Sequence, residues 1–213
     1  KSLIRLIVTS ETYRQSAQGH RVAQTIDPEN RLLWRAPRQR LTAELVRDNA
    51  LAIAGLLDRK LHGPPIYPSQ PTNLWTEIAG ADVKVYPTST GSDRYRRGIY
   101  VILRRGNPHP SMLNFDASDR SLCVARRPVT NTPIQALTLL NDPNFVEAAE
   151  HFAQLIQKQP GDISDQARWA FRRALARQPS PAELEVLLTL HGADPTWFDA
   201  AQAILNADET VCH

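Results

Sequence analysis

Only two cysteines, Cys123 and Cys212, occur in 213 residues. Two thiols define neither a disulfide framework nor a redox compartment, and a chain this long needs no cross-link to hold a core. Lysine is scarce: of 25 basic side chains only Lys1, Lys60, Lys84 and Lys158 are lysines. The formal net charge is +3, too slight to imply a nucleic-acid partner. No hydrophobic run approaches the roughly 20 residues of a membrane span. A signal peptide is lacking as well, but the chain opens at Lys1 and enters an apolar helical pattern at once, so we expect a piece of a longer protein. Catalytic signatures are missing: there is no Gly-x-Ser-x-Gly and no recognisable cysteine–histidine nucleophile pattern. Haem attachment needs Cys-x-x-Cys-His, and "ETVCH" places Glu209 where the first cysteine belongs. The six histidines, His20, His62, His109, His151, His191 and His213, show no metal-ligand spacing. No cofactor and no metal are therefore expected in this chain.

What is present is helical punctuation. The chain is 42% hydrophobic and 22% charged, which is ordinary globular composition. Leu3, Leu6 and Ile7 predict a short helix ending near Ser10, followed by a turn and an extended connector over "DPENRLLWRAPRQR". Pro37 opens a long helix with Leu41, Leu45, Ala52, Ile53, Leu56 and Leu57 on one apolar face. Arg40, Glu44, Arg47 and Asp48 form a charged cluster on the other face, read as a structural ion-pair network. Residues 62–95 are rich in Pro, Ser, Thr and Gly and predict an ordered, irregular wrap anchored by Ile66, Tyr67 and Trp75. "GIYVILRR" predicts one buried strand, whose partner must come from that wrap, from a missing part of the protein or from another chain. In the C-terminal half, Thr132-Pro133-Ile134-Gln135 and Ser180-Pro181-Ala182-Glu183 are capping boxes, and Asp142-Pro143 and Asp194-Pro195 are two more helix starts. The fold class is mainly α: a helical bundle with a long irregular Pro-rich insertion and at most a minor β element. Residues 1–159 form the core, and residues 160–213 form a C-terminal helical subdomain joined near Pro160–Ser164.

"FDASDRSLCVARRPVTNTPIQALTLLNDPNFVEAA" resembles the C-terminal domain of large planctomycete-type exported proteins, the domain of unknown function 1553. "RLIVTSETYRQSA", "DPENRLLWRAPRQRLTAELVRD", and "GPPIYPSQPTNLW" leading to "YRRGIYVILRR" agree with it in order. Ser118 departs from it, standing where proline usually follows "FDA". The resemblance implies an exported, periplasmic or cell-surface multidomain protein, in which upstream domains are partners and a haem c segment often lies upstream. It also implies bacteria rich in polysaccharide-degrading systems. It supplies no reaction.

The segment Phe115–Asn141 concentrates the candidate ligand-binding groups: Asp116, Asp119, Arg120, Cys123, Arg126, Arg127, Asn131, Gln135 and Asn141. Arginine forks suit carboxylate or sulfate, which makes anionic glycan the expected ligand class. The same groups could instead bind one another and fix a long connection. Cys123 beside Arg126 and Arg127 reads either as a lowered-pKa thiol or, preferentially, as a small buried residue where the loop docks. Asp142 reads as a helix cap rather than one of an acid/base pair. "RYRRGIYVILRR" could track a phosphate backbone or an anionic glycan, or place arginines at the ends of a buried strand. The expected function is a non-catalytic structural and binding module. The alternative is part of an enzyme, carbohydrate-active or redox, whose site is completed by missing domains.

Overall fold

The computed structural model describes residues 1–71, 86–105, 107–118 and 120–212. Trp75, Asp119 and His213, singled out above, lie outside the described residues. The chain forms two compact units, Lys1–Arg40 with Cys212, and Leu41–Val211. Among the described residues the regular elements are helices, with three isolated bridges in place of strands.

The first unit holds α1 (Ser2–Thr9) and α2 (Arg21–Ile26). The Thr9 and Ser10 hydroxyls donate to the carbonyls of Arg5 and Ile7, both at 2.7 Å, and close α1 where its apolar spacing ends. His20 caps α2, with Nδ1 accepting from the Ala23 N–H. The connector is held by polar side chains. Asp27 accepts from the N–H groups of Arg31 (3.0 Å) and Leu32 (2.7 Å), and Trp34 Nε1–H donates to the Asp27 carbonyl (2.8 Å). Arg40 ends the unit in an antiparallel bridge with Cys212.

In the second unit α3 spans Ala43–Ile53, with Thr42 rather than Pro37 at its start. Its polarity reverses the expected one. Arg47 and Asp48 are buried with Ala43, Val46, Ala50 and Leu51, whereas Leu45 is 44% exposed. The reason is long-range: a backbone carbonyl and a backbone N–H some 50 residues away take up the two charged side chains. The strand expected at "GIYVILRR" is also corrected. Gly91–Tyr95 and Gly98–Tyr100 are 3-10 turns, and pairing here is reduced to two isolated parallel bridges, Asp58 with Arg96 and Ile66 with Val101. Ile66 N–H donates to the Tyr100 carbonyl (2.8 Å), and Ile102 N–H to the Ile66 carbonyl (2.9 Å). Gly98 explains why no strand runs through. A Cβ there would lie 2.7 Å from the Glu44 carbonyl oxygen, so only glycine lets this turn seat on α3. The partner does come from the Pro-rich segment, where Ile66 is an anchor at 1% exposure and Tyr67 is half-buried.

The remaining helices are α4 (Pro110–Asn114), α5 (Pro133–Asn141), α6 (Pro143–Gln157), α7 (Ile163–Leu175), α8 (Pro181–Ala193), α9 (Phe198–Leu205) and α10 (Asp208–Val211). α6 packs against α3, α5, α7 and α9. It does so through small side chains: Ala148 and Ala149 on α6, Ala167 and Ala170 on α7, and Ala200 and Ala201 on α9 are all fully or almost fully buried. Alanine faces let helix backbones approach closely, while Phe152, Ile156 and Phe171 fill the space between them. The start signals at Thr132, Asp142 and Ser180 act as their chemistry dictates, each with its proline on the first turn of the helix. Asp142 accepts from the Asn144 N–H (2.9 Å), and Ser180 and Glu183 exchange reciprocal bonds. Thr132 N–H donates to Gln135 Oε1 (3.4 Å). The start expected at Asp194-Pro195 is corrected: Asp194 closes α8 as its C-cap and Trp197 is the N-cap of α9, although the Asp194 carboxylate, four residues before α9, still accepts the N–H groups of Phe198 and Asp199. Asp162 and Asp165 form a further capping box at the head of α7. Its sequence signal is masked by Pro160–Gly161, which marks a break just before the cap.

Candidate functional site

The segment 115–141 folds as a closed loop feeding α5. The Asp116 carboxylate accepts from both the N–H (2.8 Å) and the hydroxyl of Thr130, which joins the two ends of the loop. Gln135 is buried on the first turn of α5 and donates to the Asn114 carbonyl (2.9 Å) and to Thr130 Oγ1 (3.0 Å). Asn141 donates to the Leu137 carbonyl of its own helix. Arg127 reaches out of the loop to Glu44 on α3, with one Nη contacting both carboxylate oxygens at 2.9 Å. Burial pushes the Glu44 carboxyl up, but hydrogen bonding to its own backbone and to Arg127 outweighs this and holds it below the ordinary carboxylate value. Asp116, Gln135, Arg127 and Asn141 are therefore tied into the fold.

Arg120, Cys123, Arg126 and Asn131 are different: all four are exposed on the loop. The preferred placement of Cys123 in a buried docking contact is overturned, because Asp116 and Thr130 close the loop at its base and leave its tip in solvent. Leu122 at 76% and Val124 at 54% exposure flank the thiol. The tip thus presents two guanidinium groups and a short apolar run on a base fixed by Asp116 and Gln135.

The charged cluster predicted on the α3 region is divided. Arg40 belongs to the first unit, while Glu44, Arg47 and Asp48 lie on α3. Asp48 accepts the Gly98 N–H at 2.5 Å and lies 3.5 Å from Arg97 Nε. Burial raises its carboxyl above the ordinary value despite these partners. Arg47 donates to the Arg94 carbonyl (2.6 Å), and its Nε has no partner among the described residues. Burial lowers its pKa against the opposing charges of Asp48, Asp142 and Glu147.

Around Arg47 runs a polar web that the residue pattern did not announce. Glu147 accepts from Arg94 (2.6 Å) and from the Tyr95 hydroxyl (2.8 Å). Tyr86 donates to the Pro68 carbonyl (2.7 Å), and burial raises its phenol pKa. His109 is 4% exposed. Its Nε2–H donates to the Ser69 carbonyl (3.1 Å), which leaves Nδ1 to accept the Ser111 hydroxyl (2.9 Å). Burial lowers its pKa against the pull of Asp142. Asn144 donates to the same Ser69 carbonyl (2.8 Å). Arg96, at 1% exposure, is held by the carbonyls of His62 and Pro64 and lies 4.0 Å over the Tyr100 ring. The arginines of "RYRRGIYVILRR" thus include one fully buried cation answered by carbonyls and a ring.

Two open grooves lie elsewhere. One of about 500 Å³ is lined by Arg168, Pro181, Leu184 and Leu188. The other, of about 600 Å³, is lined by Glu150, Gln154, Gln157, Asp194 and Thr196. In the second, Gln157 already donates to the Thr196 carbonyl, and Asp194 is engaged in capping. Among the described residues no three His, Cys, Asp or Glu side chains gather where a metal ion could be held. No helix among them is long and apolar enough to cross a membrane.

Comparison with known proteins gives one match. A family model described as "Protein of unknown function (DUF1553)" covers residues 1–191. No curated protein and no solved structure matches the chain. With that match spanning most of the sequence, and including the Asp116–Thr130 loop and the web around Arg47, the chain belongs to the DUF1553 family.

Proposed function

We propose that this chain is a non-catalytic structural and binding module of a larger exported protein, and that the loop between Asp116 and Thr130 is its face for anionic glycans. The carrying observation is a division of labour within one segment. Asp116, Arg127, Gln135 and Asn141 hold the fold, and Arg120 and Arg126 remain exposed on the loop they stabilise. A loop on a fixed base loses little entropy on binding, and guanidinium forks match sulfate and carboxylate. Export, upstream domains and an upstream haem segment are supported by family resemblance.

The test is a binding panel of sulfated, carboxylated and neutral glycans. Sulfated or carboxylated chains are expected to bind, and Arg120→Ala and Arg126→Ala each to weaken binding roughly fivefold with the fold intact. A wild type that binds none of them, or binding indifferent to both substitutions, removes the reading.

A second reading, part of an enzyme completed by other domains, is favoured by the buried web in which Arg47 Nε lacks a partner among the described residues and His109 and Asp142 act on each other. Turnover of a glycoside or a redox substrate by the complete protein, abolished by Arg47→Met with the fold retained, would select it.

A further inference from the structure

The first unit combines two properties. Eight of the 25 Lys and Arg residues but three of the 22 Asp and Glu residues fall in residues 1–40, so this stretch stands at +5 and residues 41–213 at −2. Only Asp27 is buried in it, and its carboxylate is held by the N–H groups of Arg31 and Leu32. Ten large apolar side chains there are exposed. On α1, Leu3, Ile4, Leu6, Ile7 and Val8 sweep about 200° of the helix circumference, and Arg5 stands on the remaining side. Leu32 (79%) and Leu33 (52%) form a second apolar point between Arg31 and the Trp34–Arg35 cation–π pair. Forty residues that bury no apolar side chain leave exposed apolar surface of the kind that marks an interaction site, with the sweep of α1 as its continuous part.

We propose that the first unit docks on an anionic lipid bilayer, with α1 lying in the interface and the Leu32–Leu33 turn dipping beside it. Charge complementarity selects this occupant. A second copy meeting the same face would set +5 against +5. A rigid protein partner would need a carboxylate opposite each arginine, and the arginines are spread along the unit: Arg5 on the side of α1 away from its apolar sweep, Arg31 before Leu32, Arg35 after Trp34. A fluid bilayer imposes no such matching. Guanidinium groups extend to headgroup phosphates while neighbouring aliphatic side chains enter the acyl boundary. An eight-residue helix is a weak anchor alone, so attachment rests on the sum of contacts and is reversible by salt.

The experiment floats the full chain with vesicles of phosphatidylcholine alone and with about 30% phosphatidylglycerol. Binding to the anionic vesicles is expected to exceed binding to the neutral ones roughly tenfold, and to fall as salt rises from about 0.05 to about 0.5 M. Leu3→Ser/Leu6→Ser and Arg5→Glu/Arg14→Glu should each reduce it roughly tenfold, while Val186→Ser in the second unit leaves it unchanged. These variants touch no buried apolar side chain, so circular dichroism should report an intact helical second unit. The proposal is overturned by absence of flotation with anionic vesicles, by equal flotation with neutral ones, or by variants that float like wild type.

Discussion

Asp48 separates the value of a hydrogen bond from the value of a charge. It is 7% exposed and accepts the N–H of Gly98, itself buried, at 2.5 Å. Asp48→Ala removes the acceptor and leaves that N–H unsatisfied where glycine is packed on α3, at a cost of about 1–3 kcal/mol. Arg97 is 38% exposed and rehydrates with little loss. Asp48→Asn keeps an acceptor oxygen, and the lost charge costs little because burial already disfavours the ionised form. We expect about 2–3 kcal/mol for Asp48→Ala and about 1 kcal/mol or less for Asp48→Asn near pH 7. The pH dependence follows from the raised folded pKa: the folded state takes up a proton before the unfolded state does. Wild type should therefore gain stability relative to Asp48→Asn as pH falls through the raised value toward the ordinary 3.8. Urea unfolding of the three proteins near neutrality and near pH 4.5 measures this. If Asp48→Asn is as damaging as Asp48→Ala at neutral pH, the carboxylate charge is the stabilising element and the reasoning fails.

Three further outcomes can be checked. Gly98→Ala should cost about 1–3 kcal/mol in urea unfolding, because its Cβ would meet the Glu44 backbone at 2.7 Å. Arg177 bonds both Glu183 and Glu209, and hydrogen bonding from Arg177 brings the Glu183 carboxyl down to about 2. The pair is partly exposed, so Arg177→Met should cost about 0.5–1 kcal/mol at neutral pH, and the difference from wild type should shrink as pH drops from 4.5 toward 2. Asp116→Ala should open the loop base, seen as faster hydrogen exchange and proteolysis at residues 120–129 with the helical signal unchanged.

The C-terminal half was legible because its signals are local. A capping carboxylate or hydroxyl and the proline after it act within one helical turn, so Asp142 and Ser180 could be read without knowing what surrounds them. α3 was not, because hydropathy does not register that Arg94 and Gly98 will present a carbonyl and an N–H to Arg47 and Asp48. The same blindness turned Gly98–Tyr100 into an expected strand. Its β-branched and aromatic neighbours have strand character, but the close approach of Gly98 to Glu44 decides the conformation. In the candidate site the segment 115–141 was found from composition. Its division into holding groups and exposed groups required the Asp116–Thr130 closure, a contact across 14 residues with no periodic trace. His109 and Tyr86 carried no sequence signal for their place in the web, since each donates to a backbone carbonyl far along the chain or in an irregular segment.

The most direct test of the binding-module account compares Arg126→Ala with Arg127→Ala, measuring stability and affinity for dextran sulfate against neutral dextran. Arg127, held by Glu44, should lose about 1 kcal/mol of stability on substitution. Arg126, exposed on the loop, should unfold within about 0.5 kcal/mol of wild type and bind dextran sulfate roughly fivefold more weakly. Absence of dextran sulfate binding by wild type, or an affinity untouched by Arg126→Ala, would contradict the account and leave the loop as a structural connection.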